Sequence, residues 1–397
     1  MNEKKITRRS FLKGTLLTLG AAIASPVLSQ VAPLTLRDPS QNTKPSEFMQ
    51  RSASQVNYGP SYGVAKLNAN ENPYGPSPAA LNAMNKAIQK GSYYVTAVTK
   101  LKEMIAEKNN VTPDHILIGS GSSAPLQWLA TKVTRKGHIL GPDLFWDTTS
   151  IMGSKNNQFT LERLPKSSDL SINLDDMEKF VTPNTALIQI TNPNNPTGLT
   201  ISPTKLKEFC KKLSKKVLVL VDEAYNELTP QPEKNTMVPL VRKGFDVVVA
   251  RTFSKIYGLA GMRVGYIIAK PELIEKIASF GLGDYSLNQA GVAGAIASYN
   301  DEVFLKFSKQ KIIEAREIIE EAVKVNGLQS LSSTTNFVFV NLGDLNAESF
   351  RKEMAKENVL VRGIYRDYSH WSRVSTGKIE DVIQYANALP RVLEKIA

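Results

Sequence analysis

The amino-acid sequence predicts an α/β protein built on a mostly parallel sheet. Short, β-branched apolar runs alternate with helical patterns, and the runs are apolar throughout, as in strands buried on both faces. Polar segments follow the ends of several runs. The runs are HILIG (115–119), ALIQIT (186–191), VLVLVDEA (217–224), VVVART (247–252) and VGYIIAK (264–270). Such alternation favours a parallel sheet with helices on both of its faces.

Helical patterns occupy the intervals between these runs. PAALNAMNKAIQKG has apolar residues at helical spacing and ends at Gly91, SAPLQWLATKVTRKG follows HILIG, and SPTKLKEFCKKLSKK covers 202–216. One long helical pattern follows at 301–325. After it, FVFVNL, a helix at 347–357, VLVRGIY, SRVSTG and a helix at 378–396 predict a smaller α+β domain.

Length and composition are those of a globular protein, with 397 residues, 42% of them hydrophobic and 22% charged. The net charge of +12 does not indicate a nucleic-acid partner. The first 13 residues hold five basic residues and one acidic residue, and the remaining basic residues are interspersed with acidic ones. A single cysteine, Cys210, and three histidines without ligand spacing predict neither a disulfide framework nor a metal site.

The first thirty residues have the layout of a signal peptide: a basic start, an apolar run too short for a comfortable membrane span, and small residues. TRRSFLK (7–13) resembles the twin-arginine (Tat) export signal at every defined position, and AIA (22–24) is one possible cleavage site. A basic amphipathic N-terminus or an uncleaved anchor is the alternative. We expect export to the periplasm or another extracytoplasmic compartment, with no stable membrane insertion after cleavage.

Four polar segments follow strand ends, and we expect them to meet at one edge, because ligands bind beyond the carboxyl ends of parallel strands. They are GSGSS, NPNNPTG, DEAY (222–225) and RTFSK (251–255). Each alone has an ordinary structural explanation, such as a helix cap for Asp222 or a solvated side chain for Lys255. In TFSKIYGLAGMR, however, Lys255 and Arg263 flank a turn with two glycines, as a bound anion beside a reactive group would require.

In this order and spacing, the segments resemble the fold-type I pyridoxal-phosphate aminotransferases of class I/II. KLNANENPYGPSP (66–78) narrows the resemblance to the histidinol-phosphate aminotransferase branch, and the resemblance runs from about residue 64 to the C-terminus. It implies a large domain with a mostly parallel seven-stranded sheet flanked by helices, a smaller α+β domain, and pyridoxal 5'-phosphate as cofactor. It also implies a homodimer with both active sites at the interface.

We therefore divide the chain into four parts. These are the Tat signal peptide (1–30), an arm and linker that contributes to the small domain (31–75), the large cofactor-binding domain (76–290) and the small C-terminal domain (291–397).

The resemblance also implies site residues. Lys255 would form the Schiff base with the cofactor aldehyde and move the substrate proton, Asp222 would keep the pyridine nitrogen protonated, and Arg263 would pair with the phosphate. Asn195 and Tyr225 would bind the ring oxygen, and Ser122, Ser123, Thr252 and Ser254 would add hydroxyls around the phosphate. Arg373 would bind the substrate α-carboxylate, Arg362 would lie near its distal group, and Asn72 completes the substrate-binding set.

The chain departs from the family pattern at three places. Ser123-Ala124 stand where an acidic pair is usual. Leu144 occupies the register of the aromatic residue that stacks on the cofactor, so Phe145 or Trp146 must reach the ring.

The third departure concerns a Tyr-Pro pair whose tyrosine reaches the phosphate bound by the partner subunit. In this chain it is replaced by Tyr93-Tyr94-Val95, and we favour Tyr94 for that contact.

The sequence therefore predicts an exported aminotransferase that moves an amino group from an amino acid or amino alcohol to a 2-oxo acid such as 2-oxoglutarate. Arg362 could favour an anionic donor such as histidinol phosphate, but an export signal is at odds with cytoplasmic histidine biosynthesis. The donor therefore stays open. A decarboxylase or β-lyase on the same scaffold, and a non-catalytic cofactor-binding protein, are the alternatives.

Overall fold

A seven-stranded mixed sheet is the central element of residues 58–397, which are the residues that the computed structural model describes. In chain order the strands are β1 (Ala65–Lys66), β2 (Ile116–Ser120), β3 (His138–Gly141), β4 (Leu161–Arg163), β5 (Thr185–Thr191), β6 (Leu218–Asp222), β7 (Val247–Thr252), β8 (Val264–Ile268), β9 (Gln329–Ser330), β10 (Phe337–Asn341), β11 (Val359–Leu360) and β12 (Trp371–Ser375). The large sheet has the order β2-β8-β7-β6-β5-β3-β4.

Strand direction brings several carboxyl ends to one edge of this sheet. The strands from β4 through β3, β5 and β6 to β7 are parallel, whereas β8 is antiparallel to both β7 and β2. Because β2 and β7 both oppose β8, they run the same way. The carboxyl ends of β2, β5, β6 and β7 therefore share an edge, and the predicted mostly parallel sheet is confirmed.

Helices cover both faces of the large sheet and one face of a second, smaller sheet. In chain order they are α1 (Pro78–Ile88), α2 (Val98–Asn109), α3 (Ser123–Val133), α4 (Thr148–Ser154), α5 (Leu174–Lys179), α6 (Pro203–Leu213), α7 (Pro232–Asn235), α8 (Val238–Arg242), α9 (Pro271–Ala278), α10 (Gln289–Tyr299), α11 (Glu302–Val325), α12 (Ala347–Lys356) and α13 (Ile379–Ile396).

Alternate side chains of each central strand enter two separate hydrophobic clusters. In β6, Val219 and Val221 pack in one cluster with residues of α2 and α6, while Leu220 packs in the other with residues of α3 and α9. Side chains on a strand point alternately to its two faces. Both faces of β6 are therefore apolar and covered, which explains the continuous apolar runs in the sequence.

The C-terminal part of the chain builds a third hydrophobic cluster. β9, β10 and β12 form an antiparallel sheet that packs with α11, α12 and α13, and β1 pairs in parallel with the short β11. Residues 60–397 together form one compact unit. The boundary that we place at residues 290/291 stays a prediction, and the Tat signal and most of the arm lie outside the described residues.

Two parts of the sequence differ from the expected elements. VLVRGIY was expected to be one extended run, but its strand, β11, covers only two residues. The chain turns away at residues 361–370, where Tyr365 pairs with Tyr368 in an isolated bridge. Within residues 58–397, no helix combines the length and the apolar character that crossing a bilayer requires.

Candidate active site

A cavity of about 620 Å³ lies at the edge where the carboxyl ends of the parallel strands meet, and its size suits a cofactor together with a small substrate. It collects side chains from all four polar segments and from the C-terminal part of the chain. The predicted site residues that line it are Ser122, Ser123, Phe145, Trp146, Asn195, Asp222, Tyr225, Thr252, Ser254, Lys255, Arg263, Arg362 and Arg373.

Lys255 follows the end of β7 and reaches into the cavity. Its Nζ donates a hydrogen bond to the Asn70 carbonyl at 2.8 Å and lies 5.4 Å from the centre of the Tyr225 ring. Burial, and then the nearby charge of Arg373, lower the pKa of Lys255 to about 8, although Asp222 acts in the opposite direction. Because the neutral amine is the nucleophile, this environment favours its attack on a carbonyl group.

Asp222 ends β6 and is 3% exposed. Its Oδ1 accepts the N–H of Ala224 at 3.1 Å, and burial raises the pKa of the carboxyl to about 6, against the effect of that hydrogen bond and of Lys255. A buried carboxylate that faces a cavity is stabilised by a cationic or N–H group of a ligand. The protonated nitrogen of a heteroaromatic ring fits this requirement.

A chain of hydrogen bonds joins the middle of the cavity to its far end. The Tyr225 hydroxyl accepts from Asn70 Nδ2 at 2.9 Å and lies 3.4 Å from Asn195 Nδ2. Asn195 Oδ1 in turn accepts from Arg373 Nη1 at 2.9 Å. Burial raises the pKa of Tyr225 well above its ordinary value, so the hydroxyl keeps its proton and can donate it to an anionic oxygen.

Arg263 and hydroxyl groups form an anion cradle at the other end of the cavity. Arg263 has left-handed backbone (φ 54°), and its Nη1 donates to the Ala260 carbonyl at 2.9 Å and lies 3.4 Å from Ser254 Oγ. Thr252 Oγ1 donates to Ser254 Oγ at 2.9 Å. A Cβ at Gly121 would lie 2.3 Å from Arg263 Nη2 and would displace the guanidinium, and the left-handed backbone of Gly121 (φ 68°) itself favours glycine.

The start of α3 completes this cradle. Ser122 and Ser123 open the helix directly after β2, and both line the cavity. The first backbone N–H groups of a helix have no partner within it and carry partial positive charge. With Arg263 and the hydroxyls, this arrangement suits a phosphate group.

Arg373 on β12 defines the substrate end of the cavity. It is 7% exposed, its Nη2 donates to the Asn68 carbonyl at 3.1 Å, and its Nε is buried without a hydrogen-bond partner among residues 58–397. The guanidinium lies 5.4 Å from the Phe337 ring and 5.5 Å from the Tyr365 ring. A buried guanidinium with an unused N–H suits a carboxylate ligand.

Arg362 is exposed on the same wall, and its backbone N–H donates to the Arg373 carbonyl at 3.0 Å. It lies 5.6 Å from the Tyr365 ring centre. This part of the cavity therefore holds two cations, one buried and one accessible.

Both candidates for the stacking ring line the cavity, and Leu144 lines it as well. Phe145 is buried against Gly141, where a Cβ would come within 2.4 Å of its ring, and Arg163 lies 5.4 Å from its ring centre. Trp146 is half-buried. The choice between Phe145 and Trp146 stays a prediction.

Two predicted residues lie outside this cavity. Tyr94 is 77% exposed and makes an edge-to-face contact with Tyr285. The assignment of Asn72 to the substrate-binding set is corrected, because its Nδ2 donates to the Ile256 carbonyl and to Ser308 Oγ. Its amide is therefore used inside the protein.

Sequence reasoning missed Asn70, which lines the cavity and contacts both Lys255 and Tyr225. It belongs to NANEN, of which residues 68–71 all line the cavity, so the nearness of this motif to the site is the signal that could have identified it. Glu71, Tyr365 and Arg366 were missed as well. Among residues 58–397, no group of three or more His, Cys, Asp or Glu could hold a metal ion.

Comparison with known proteins identifies the family. The family profile of class I and II aminotransferases matches residues 62–389. Histidinol-phosphate aminotransferase 1 of Cupriavidus pinatubonensis is 32% identical over 337 residues, which is 84% of this chain and 89% of that protein. Histidinol-phosphate aminotransferase 2 of Carboxydothermus hydrogenoformans is 32% identical over 359 residues, 88% of this chain and 95% of that protein.

Solved structures agree with this result. Histidinol-phosphate aminotransferase from Sinorhizobium meliloti, in complex with pyridoxal-5'-phosphate, superposes with a TM-score of 0.76 at 26% identity, covering 96% of this chain and 100% of that one. The chain thus belongs to the class I and II aminotransferase family. It is a pyridoxal-phosphate-dependent aminotransferase of the histidinol-phosphate aminotransferase-like kind.

The residues of the cavity fit pyridoxal 5'-phosphate. The cradle around Arg263 and Gly121 suits its phosphate, the buried carboxylate of Asp222 suits its ring nitrogen, and the amine of Lys255 suits its aldehyde. The two ends of the cavity therefore have separate tasks, and the cofactor would lie between Arg263 and Arg373.

We predict that Asp222→Asn stabilises the cofactor-free protein at neutral pH. The folded-state pKa of Asp222, about 6 against an ordinary 3.8, means that the buried charge costs stability above pH 6 and costs none below about pH 4. A difference of about two pKa units corresponds to a gain of about 2–3 kcal/mol in unfolding free energy. Asparagine keeps an Oδ1 for the Ala224 N–H.

Urea unfolding of both cofactor-free proteins at pH 7 and pH 4 measures this gain. Asp246→Asn is the matched control, because Asp246 is 51% exposed and pairs with Lys270. Equal unfolding free energies for Asp222→Asn and the unchanged protein at pH 7 would contradict the electrostatic account.

Proposed function

We propose that this protein uses Lys255 to transfer an amino group from an amino acid or amino alcohol to a 2-oxo acid. The observation that carries the proposal is a buried lysine amine of lowered pKa that shares one cavity with Asp222, between Arg263 at one end and Arg373 at the other. One cation suits a cofactor phosphate and the other suits a substrate carboxylate. The amine and the carboxylate between them suit chemistry at a substrate Cα.

Each side chain has a distinct role in this proposal. When bound, the cofactor supplies an aldehyde that condenses with amines and a ring that accepts the electron pair released at Cα. Lys255 would hold the cofactor through its aldehyde group, and its amine would take the proton from the substrate Cα and return it. Asp222 keeps the ring nitrogen protonated, and Tyr225 with Asn195 binds the ring oxygen.

The substrate end supports a donor with a carboxylate or another anionic group. Arg373 binds the α-carboxylate of an amino acid donor and of the 2-oxo acid acceptor. Arg362 is an accessible cation on the same wall and favours a distal carboxylate or phosphate. A histidinol-phosphate-like amino alcohol satisfies this requirement through its phosphate.

We propose that two copies of the chain form a homodimer. Tyr93, Tyr94, Leu282 and Tyr285 form an exposed patch in which each side chain is at least 69% exposed, and such a patch is typical of an interaction surface. Tyr94 would contact the phosphate bound by the partner subunit. Analytical ultracentrifugation of the purified protein measures the assembly, and a monomer at micromolar concentration would contradict the proposal.

Export by the twin-arginine route is also our proposal, and TRRSFLK (7–13) supports it. We expect Arg8→Lys together with Arg9→Lys to leave the protein in the cytoplasm, because the route requires both arginines. Cell fractionation with an antibody measures the distribution, and Lys4→Arg is the control that keeps the charge and the arginine pair. Unchanged export of the double variant would contradict this proposal.

The main test is the visible absorbance band of the cofactor-loaded protein. We expect amino donors to bleach the band and 2-oxoglutarate to restore it with formation of glutamate, because the two half-reactions share one site. Lys255→Ala should lack this band and should form glutamate about 10³-fold more slowly or worse, whereas Lys205→Ala, an exposed change on α6, should alter neither property. A panel of amino donors, some with a distal anionic group and some without, is then tested on the unchanged protein and on Arg362→Ala. The comparison measures whether the substrate end prefers donors with a distal anion.

Other outcomes of the same test favour other functions. Release of carbon dioxide would indicate a decarboxylase, and release of ammonia with a 2-oxo acid would indicate a β-lyase. A fully loaded protein on which no donor acts would indicate a non-catalytic cofactor-binding protein. No visible band after loading with pyridoxal phosphate would contradict the proposed role of Lys255.

A further inference from the structure

Two segments from distant parts of the chain face each other at the mouth of the cavity. The arginine loop, residues 362–368, contributes Arg362, Tyr365 and Arg366 to the cavity wall. The aromatic segment, residues 143–147, contributes Phe145 and Trp146. The relative position of these segments therefore sets the width of the substrate end.

Asp143 is the first residue of the aromatic segment and accepts three hydrogen bonds from the arginine loop. Its carboxylate accepts from the guanidinium of Arg366 and from the hydroxyl of Tyr368. The Asp143 carbonyl also accepts from Arg366 Nη1 and, at 3.0 Å, from Arg163 Nη1. Asp143 has only 10% of its side chain exposed, so solvent screens these contacts less than a surface pair.

Arg366, the central residue of these contacts, has an uncommon backbone conformation. Arg366 has left-handed backbone (φ 50°), a conformation that a residue with a Cβ adopts only when its surroundings hold it there. The two contacts of its guanidinium with Asp143 help to hold it, together with the backbone hydrogen bond that the Tyr368 N–H donates to the Tyr365 carbonyl across the turn. Without them, the loop would gain backbone freedom next to Tyr365.

We propose that Asp143 is a positioning residue, which clamps the arginine loop to the aromatic segment and so presents Arg362 and Tyr365 to the substrate. This inference rests on the proposed function, since it assumes that the substrate binds between these segments. A loop that is already ordered loses less conformational entropy when a ligand binds. Loss of the clamp should therefore weaken substrate binding, whereas the phosphate cradle around Arg263 lies outside both segments and should be unchanged.

A second ion pair, which involves the residue next to Arg366, provides a matched comparison. Lys166, which follows β4, pairs with Asp367 of the arginine loop, but their side chains are 51% and 55% exposed. Exposed pairs contribute little to stability because water and salt screen them. Asp367→Asn thus removes a charge beside Arg366 without removing the clamp, in which Asp143 is 10% and Arg366 37% exposed.

The experiment compares Asp143→Asn, Tyr368→Phe and Asp367→Asn in the cofactor-loaded protein. We expect Asp143→Asn to raise the dissociation constant of 2-oxoglutarate, measured by calorimetry, by about tenfold, because a charge-assisted contact is lost. Hydrogen–deuterium exchange at residues 361–370 should become faster. Tyr368→Phe should have a smaller effect in the same direction, and Asp367→Asn should change the dissociation constant less than about twofold.

The absorbance band and the thermal midpoint distinguish positioning from general damage. Both should stay unchanged in Asp143→Asn, and in steady-state assays the KM should rise while kcat changes less. Binding and exchange that match those of the unchanged protein would overturn the proposal, as would equal weakening in Asp367→Asn. Failure of the unchanged protein to bind 2-oxoglutarate would contradict the proposed function instead, and the exchange measurement would still decide whether the clamp orders the loop.

Discussion

The shared direction of β2, β5, β6 and β7 is the constraint on which the active site depends. It brings the phosphate cradle, the carboxylate and the lysine to one edge, although these groups are far apart in sequence. At the same strand ends, Arg251 donates from Nε and Nη2 to the fully buried Glu223 and so ties β6 and β7 together. Asp222 and Thr252, the neighbours of this pair, are thereby held at a fixed separation.

Buried charge gives the cavity its chemistry. The pKa of Lys255 is lowered and that of Asp222 is raised, so burial moves both groups towards their neutral forms. Arg263 and Arg373 add two positive charges that no carboxylate within the cavity cancels in full. A phosphate and a carboxylate from ligands complement this surplus. The protein thus reserves favourable electrostatic interactions for the molecules that it binds.

Much of the fold could be predicted from the sequence, because its central strands are apolar on both faces. VVVART forms β7 at the predicted residues, and β5 begins one residue before the predicted run ALIQIT. β3 and β4 were not singled out, since four and three residues are too few to show a period. VLVRGIY failed as a strand because apolar content alone does not reveal a turn with left-handed backbone at the following Arg366.

The site residues that lie at strand ends could be predicted from the order of the motifs. The residues whose positions depend on tertiary contacts could not. Asp222 ends β6, Lys255 follows β7, and Arg263 directly precedes β8, which is antiparallel and so begins at the same edge; their convergence therefore follows from topology. Asn72 was assigned to the substrate site, but Asn70 lies there, because the direction of a side chain in an irregular segment depends on what packs around it. The contacts of Asp143 were unpredictable for the same reason, because its partners Arg366 and Tyr368 lie more than 200 residues away in the chain.

The first and last parts of residues 60–397 meet around the lysine. Asn70, whose carbonyl accepts from Lys255, is held in turn by Ser375 Oγ at 2.6 Å, and Leu67 accepts from the Ser375 N–H. During translation, Lys255 leaves the ribosome long before Ser375 is made. The surroundings of the lysine can therefore be completed only after synthesis has almost ended, which makes cofactor loading a late event and leaves a prematurely terminated chain without a finished binding site.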